Sequence, residues 1–136
     1  MRVALCIDDK NGMLFNHRRQ SRDRVLIADL LASVGEGRLY ITPFSQKLLE
    51  PYGVELTVSE NMLCEAEKDD LCFVEDLPLS GVAHKIDELI IYRWNRVYPA
   101  DVYFDVDIEK ESFRLTETVD FEGSSHEKIT KETYRK

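Results

Sequence analysis

Residues 3–7 are apolar at every position, the pattern of a strand covered on both faces rather than one with a wet side. Asn11-Gly12 then marks a turn. After a polar interval, VLIADLLASV spaces its apolar residues as a helix does, with Leu26, Leu30 and Val34 on one stripe and Arg22, Asp29 and Ser33 on another. Ser21 is the predicted N-cap and Gly35 the residue that ends this helix. Residues 38–42 read as a second strand, and Ser45 caps a short helix that runs to Glu50. A third strand is predicted over 54–58, one helical turn over 61–66, and a short buried strand over 71–74. A bend containing Pro and Gly leads to Gly81, and residues 88–94 form another strand.

The last third of the chain changes character. Val102, Phe104 and Val106 alternate on one face, then Phe113, Leu115, Val119 and Phe121 follow around Glu117, and residues 129–135 close the chain. Period-two alternation of this kind suits antiparallel strands with one solvated face. Helices near the front and strands crowded at the back predict one α/β domain over residues 1–136. Its sheet is central and mixed, with antiparallel C-terminal strands and two or three helices.

Composition narrows the class. A chain of 136 residues, 43% hydrophobic, can bury an adequate core as one domain. No apolar run is long enough to cross a bilayer, and only Arg2 precedes a five-residue apolar stretch, so a cytoplasmic protein without a membrane partner is expected. Cys6, Cys64 and Cys72 are odd in number and lack CxxC spacing, which favours reduced thiols over a disulfide or zinc knuckle. The net charge of −8 opposes binding to nucleic acid.

Against that acidic background, NHRRQSRDR gathers His17, Arg18, Arg19, Arg22 and Arg24 just before the first helix. Helix N-terminal amides favour an anion, and arginines hold phosphate or carboxylate bidentately. This island is therefore the candidate ligand site, for an anionic small molecule or a protein partner. Asp23 is the candidate general acid, although an acid in a first turn commonly serves the helix dipole instead. Asp8 and Asp9 end a buried strand and are candidate cation ligands, with turn-forming as their other reading. Together with Asp23 they define a competing expectation, a metal-dependent hydrolase or nuclease acting on RNA. Ser125 and His126 are neighbours that would point to opposite faces of a strand, so GSS-His reads as a turn or bulge rather than a catalytic pair. Tyr92, Trp94, Tyr98 and Tyr103 could stack on a ring ligand or serve as packing between strands. An exposed sheet edge or aromatic patch would support a homodimer.

In order, these pieces resemble dihydrofolate reductase. The family has an apolar strand, then Asp and an NG turn, as in Ile7-Asp8-Asp9-Lys10-Asn11-Gly12-Met13. Its closing strands have counterparts in IDELIIYRW, YPADVYFD and SFRLTETVDFEGSSHEKITKETYRK. The resemblance implies a reduced form of that fold, lacking one strand–helix unit on the nucleotide side. It also implies that the functional residues are mostly gone. The family's Leu-Pro-Trp is replaced by Arg18-Arg19-Gln20, and its Gly-Arg-x-Thr by Pro43-Phe44-Ser45. Asp23 is the approximate match to its catalytic carboxylate.

Where the family has a Gly-Gly turn against a pyrophosphate, this chain has Glu75-Asp76. At about 4 Å and an effective dielectric near 20, each charge pair there would repel a phosphate by roughly 4 kcal/mol. No cofactor and no NADPH-dependent reduction are expected, and no catalytic motif is complete. The chain is also similar to short bacterial proteins sometimes labelled ribonuclease Z. That enzyme needs an HxHxDH cluster, and His17, His84 and His126 lie far apart outside any such motif.

Overall fold

The structure is a computed structural model that describes all 136 residues. Ten strands form two sheets: β1 (Arg2–Ile7), β2 (Gly12–Phe15), β3 (Arg18–Arg19), β4 (Leu39–Ile41), β5 (Thr57–Val58), β6 (Leu71–Phe73), β7 (Glu88–Arg93), β8 (Val102–Tyr103), β9 (Arg114–Phe121) and β10 (Ile129–Arg135). The helices are α1 (Arg24–Ala32), α2 (Pro43–Leu49) and α3 (Met62–Glu65), with 3-10 turns at Glu50–Tyr52 and Ser80–Lys85. The main sheet runs β5-β4-β6-β1-β7-β10-β9. Its first five strands are parallel, and β10 then pairs antiparallel with both β7 and β9. This is the expected mixed sheet with an antiparallel C-terminal part.

β1 is apolar throughout because both of its faces are covered. Val3, Leu5 and Ile7 enter one core with Met13, Ile86, Leu89, Ile91 and Phe104. Ala4 enters the other, beneath α1 and α2, with Leu26, Leu30, Phe73, Tyr92 and Trp94. Continuous hydrophobicity is the signature of such a central parallel strand.

Helix ends and two strands differ from the sequence expectations: α2 has Thr42 at its N-cap and holds Ser45 inside it, and α1 stops at Ala32, short of Gly35. The strand predicted over 54–58 is reduced to Thr57–Val58, an edge with only β4 to pair with. The N-cap of α1 is Asp23, not Ser21: the Asp23 carboxylate accepts from Val25 N and Leu26 N. Along β9 the alternation does not separate a buried face from a wet one. Leu115 and Val119 are 51% and 42% exposed, because β9 is the outermost strand and nothing covers it.

A second, small sheet, β3-β2-β8, stands beside the C-terminal ends of β1 and β7. β2 and β3 make a tight hairpin in which Phe15 pairs with Arg18. Its two-residue turn is Asn16-His17, both with positive φ (49° and 60°), the backbone that matches the twist of paired strands. The basic island therefore begins on a hairpin, which the local pattern did not announce.

Candidate functional site

Strand geometry divides the island. Arg18 and Arg19 are consecutive on β3 and fall on opposite faces. Arg18 is exposed, whereas Arg19 turns inward and gives a forked pair of hydrogen bonds to Glu75, Nε to Oε2 and Nη2 to Oε1, both 2.9 Å. Ser45 Oγ donates to the same carboxylate at 2.7 Å, and the Arg19 guanidinium lies 4.8 Å from the centre of the Phe44 ring. Side chains of the pair are only 14% and 10% exposed. The Glu75-Asp76 bend thus does not present two free charges. Glu75 is neutralised by Arg19, and Asp76 accepts from Thr42 Oγ1 at 3.2 Å while burial raises its pKa.

Asp23 is buried, and its carboxylate is fully engaged. Oδ1 accepts from Val25 N and Leu26 N, both 3.0 Å, and Oδ2 from Ser125 N and Ser125 Oγ, both 2.7 Å. Ser124 Oγ takes the next free amide of the helix, Arg24 N, at 2.9 Å. The amides expected to favour a bound anion are therefore satisfied by the protein itself. Burial works to raise the Asp23 pKa, but these hydrogen bonds overcome it and hold the carboxyl well below its ordinary range. A group so placed is a constant anion and helix cap at neutral pH, with no proton to give.

GSS-His is a turn, as expected, and for that reason Ser125 and His126 do meet: they are not on a strand. Ser125 Oγ is 2.6 Å from His126 Nδ1, and His126 Nε2 is 2.6 Å from Tyr98 Oη. Donor arithmetic sets the direction. Ser125 gives its single proton to Asp23, so Nδ1–H must donate to Ser125 Oγ, and Nε2 must accept from the Tyr98 hydroxyl. Ser21 Oγ adds a second donor to Ser125 at 3.0 Å. Since Nδ1 already carries a proton, His126 is not a base for Ser125. The ring is buried and stacked on Trp94 at 4.7 Å, and desolvation, aided by Arg96, lowers its pKa against the pull of Asp23. Tyr98, Trp94 and Tyr92 are thus committed to internal contacts, and Tyr103 is exposed.

Asp8 is similarly occupied. Oδ1 accepts from Lys10 N (2.8 Å) and Gly12 N (2.7 Å), and Oδ2 from Tyr98 N (3.0 Å) and Gln20 Nε2 (3.3 Å). Gly12 is required at this turn: a Cβ there would lie 2.6 Å from Ala100 Cβ and 2.9 Å from Asp8 Oδ2. Asp9 is exposed and offers only its amide, to Arg96 O at 2.8 Å. Asp8, Asp9 and Asp23 are not brought together, and no group of three His, Cys, Asp or Glu side chains is placed to hold a metal ion.

Between the hairpin, α1 and β6 lies a small, partly open cleft of about 30 Å³, room for one or two waters. Met13, Leu26, Ile27, Phe73 and Trp94 line it, with Arg19, Gln20 and Glu75 at its polar side. Two shallow grooves adjoin it and share Arg22, which also lines the cleft. One, of about 370 Å³, has His17, Arg18 and Phe44 on its walls; the other, of about 310 Å³, has Arg24, Lys47, Tyr52 and Ser124. None of Arg18, Arg22, Arg24 and Lys47 makes an ion pair. Lys47 belongs to this basic face only through the folding of α2, so the island's own sequence could not include it.

No family model matches the chain, and no curated protein matches it. Among solved structures, it is similar to a dihydrofolate reductase from Enterococcus faecalis complexed with NADP(H) and RAB-propyl. The TM-score is 0.70 over 98% of this chain and 94% of that one, at 12% sequence identity. At that identity the likeness is one of architecture: the chain has a dihydrofolate-reductase-like fold.

Proposed function

We propose that this protein binds a small anion, a carboxylate or phosphate, on the basic face formed by Arg18, Arg22, Arg24 and Lys47, and does not act as a reductase. The observation that carries this reading is the convergence of these four side chains, none of them in an ion pair, on two adjoining grooves of a chain of net charge −8. Arg19, Arg93 and Arg135 are each tied to a carboxylate. Arg18, Arg22, Arg24 and Lys47 stand out among the cations without an ion pair because they converge on two grooves joined at Arg22. Guanidinium forks suit planar or tetrahedral oxyanions, and binding there needs no help from the already occupied helix amides. The reductase of similar fold was solved with NADP(H); here the bend after β6 carries two side chains, Glu75 held by Arg19 and Ser45 and Asp76 by Thr42, in the way of a dinucleotide.

The test is thermal. Phosphate and citrate should raise the melting temperature of the wild-type chain, by mass action on the folded state. In Arg22→Ala/Arg24→Ala that rise should vanish, while Lys110→Ala, distant in sequence and outside both grooves, should keep it. An unchanged rise in the double arginine variant rejects the site. Arg19 is left intact in this experiment because its loss would strand Glu75.

A further inference from the structure

We propose that residues 54–58, on the open edge of the main sheet, are a docking strand for a basic, extended segment of another protein. The segment VELTV alternates as a half-covered strand does, with apolar Val54, Leu56 and Val58 around Glu55 and Thr57. Only its second half finds a partner: Thr57 and Val58 pair with Tyr40 and Ile41 of β4. The N–H and C=O groups of Val54, Glu55 and Leu56 make no hydrogen bond within the protein. Beside them lies a groove of about 730 Å³, within the range of roughly 300–1,000 Å³ typical of binding sites.

The groove has a cause in the lead-in to β4. Ile41 O accepts from Ser59 N, so Leu39, two residues back, faces the same edge and would meet Glu55 in a longer ladder; no such bond forms. The lead-in is gripped from its other side. Arg38 N donates to Asp70 Oδ1 at 2.8 Å, Arg38 O accepts from Leu71 N at 2.9 Å, and a Cβ on Gly37 would stand 2.1 Å from Asp69 O. Drawn toward β6, the start of β4 leaves residues 54–56 with a strand's sequence and no strand to pair with.

Charge selects the occupant. Glu36, Glu55, Glu67 and Asp69 line the groove, more carboxylates than its two cations, Arg38 and Lys68, can balance. Leu31, Val34 and Leu39 supply apolar surface between them. An added strand sends alternate side chains to opposite faces, so a segment alternating basic and apolar residues meets both, while main-chain bonds to residues 54–56 set its register. A second copy pairing through the same edge would bring Glu36 and Glu55 against their own counterparts, which like charge disfavours. The groove opens at the N-terminal ends of β4 and β6, away from the basic face, so the two readings stand or fall separately.

The probe is the capped peptide acetyl-Lys-Val-Arg-Val-Lys-amide, titrated into the isotope-labelled full chain at neutral pH and followed by amide NMR and hydrogen exchange. The amides of residues 54–56 should shift saturably and exchange about tenfold more slowly or better once the peptide is bound. Glu36→Lys/Glu55→Lys changes two exposed side chains and should weaken binding by about tenfold or more with the melting temperature kept. Two further peptides, N-methylated at both valines or at the central arginine, keep the charge but lose main-chain donors. At least one of them should bind the wild-type chain about tenfold more weakly, because an added strand is held by those donors. Absence of a shift at residues 54–56, equal binding by all three peptides, or equal binding by the charge-reversed chain would overturn the proposal. So would protection of these amides that grows with protein concentration in the absence of peptide, which would give the edge to a second copy.

Discussion

Ser125 Oγ lies 2.7 Å from Asp23 Oδ2, and this contact fastens the turn before the last strand onto the start of α1 across 102 residues of sequence. The carboxylate is the hub: it caps its own helix with one oxygen and holds the distant turn with the other. A hydrogen bond to a charged group contributes about 1.5–3 kcal/mol. Ser125→Ala should lower the unfolding free energy in urea by that order. Asp23→Ala should cost more, since the cap goes too, and Ser125→Ala should add little to it. Additive losses would mean that the two side chains act separately.

The same turn supplies a steric prediction. A Cβ on Gly123 would stand 2.3 Å from Asp23 Oδ2 and 2.5 Å from Ile129 Cδ1. Gly123→Ala should therefore push the turn off the cap and destabilise the fold by roughly 1–3 kcal/mol, the usual cost of overpacking. Melting of this variant within a degree of the wild type would contradict the close approach.

Stability should fall on mild acidification. The folded pKa of His126 is depressed by burial first and by Arg96 second, so its contribution is complete above the unfolded value near 6.5 and is lost as the pH falls through the folded one. Asp23, also depressed, keeps its contribution at those pH values and loses it only well below pH 4. Urea midpoints between pH 8 and 5 should drop for the wild type, and the slope should flatten in His126→Gln. An equal slope in the variant would assign the effect elsewhere.

Calorimetric titration with reduced nicotinamide dinucleotide should give no saturable heat. Glu75 and Asp76 stand at the bend after β6, and the one arginine near them is already committed to Glu75. A stoichiometric isotherm would show that the bend yields to a pyrophosphate despite its two side chains.

Much of the frame was legible from short windows. The unbroken apolar run of β1, the helical stripe of Leu26 and Leu30, and the Asn11-Gly12 turn each declare themselves within a few residues. Boundaries were less legible where a competing group intervened: Asp23 caps α1 because its oxygen meets two helix amides, leaving Ser21 to bond Ser125 instead. The exposure of Leu115 and Val119 was hidden because alternation tells which residues share a face, not whether anything covers it.

For this chain the linear order of residues determined the class of fold and the presence of a basic island in an acidic protein, since periodicity and charge are local properties. Tertiary structure decided the partners. Glu75 claims Arg19 from 56 residues away, β3 sends Arg18 to solvent, and α2 brings Lys47 to the unpaired arginines. Such choices depend on which strands become neighbours, and a hydrogen bond a few ångströms long has no signature in a sequence window. What began as one patch became a structural ion pair over a cleft and, outside it, a basic face without partners.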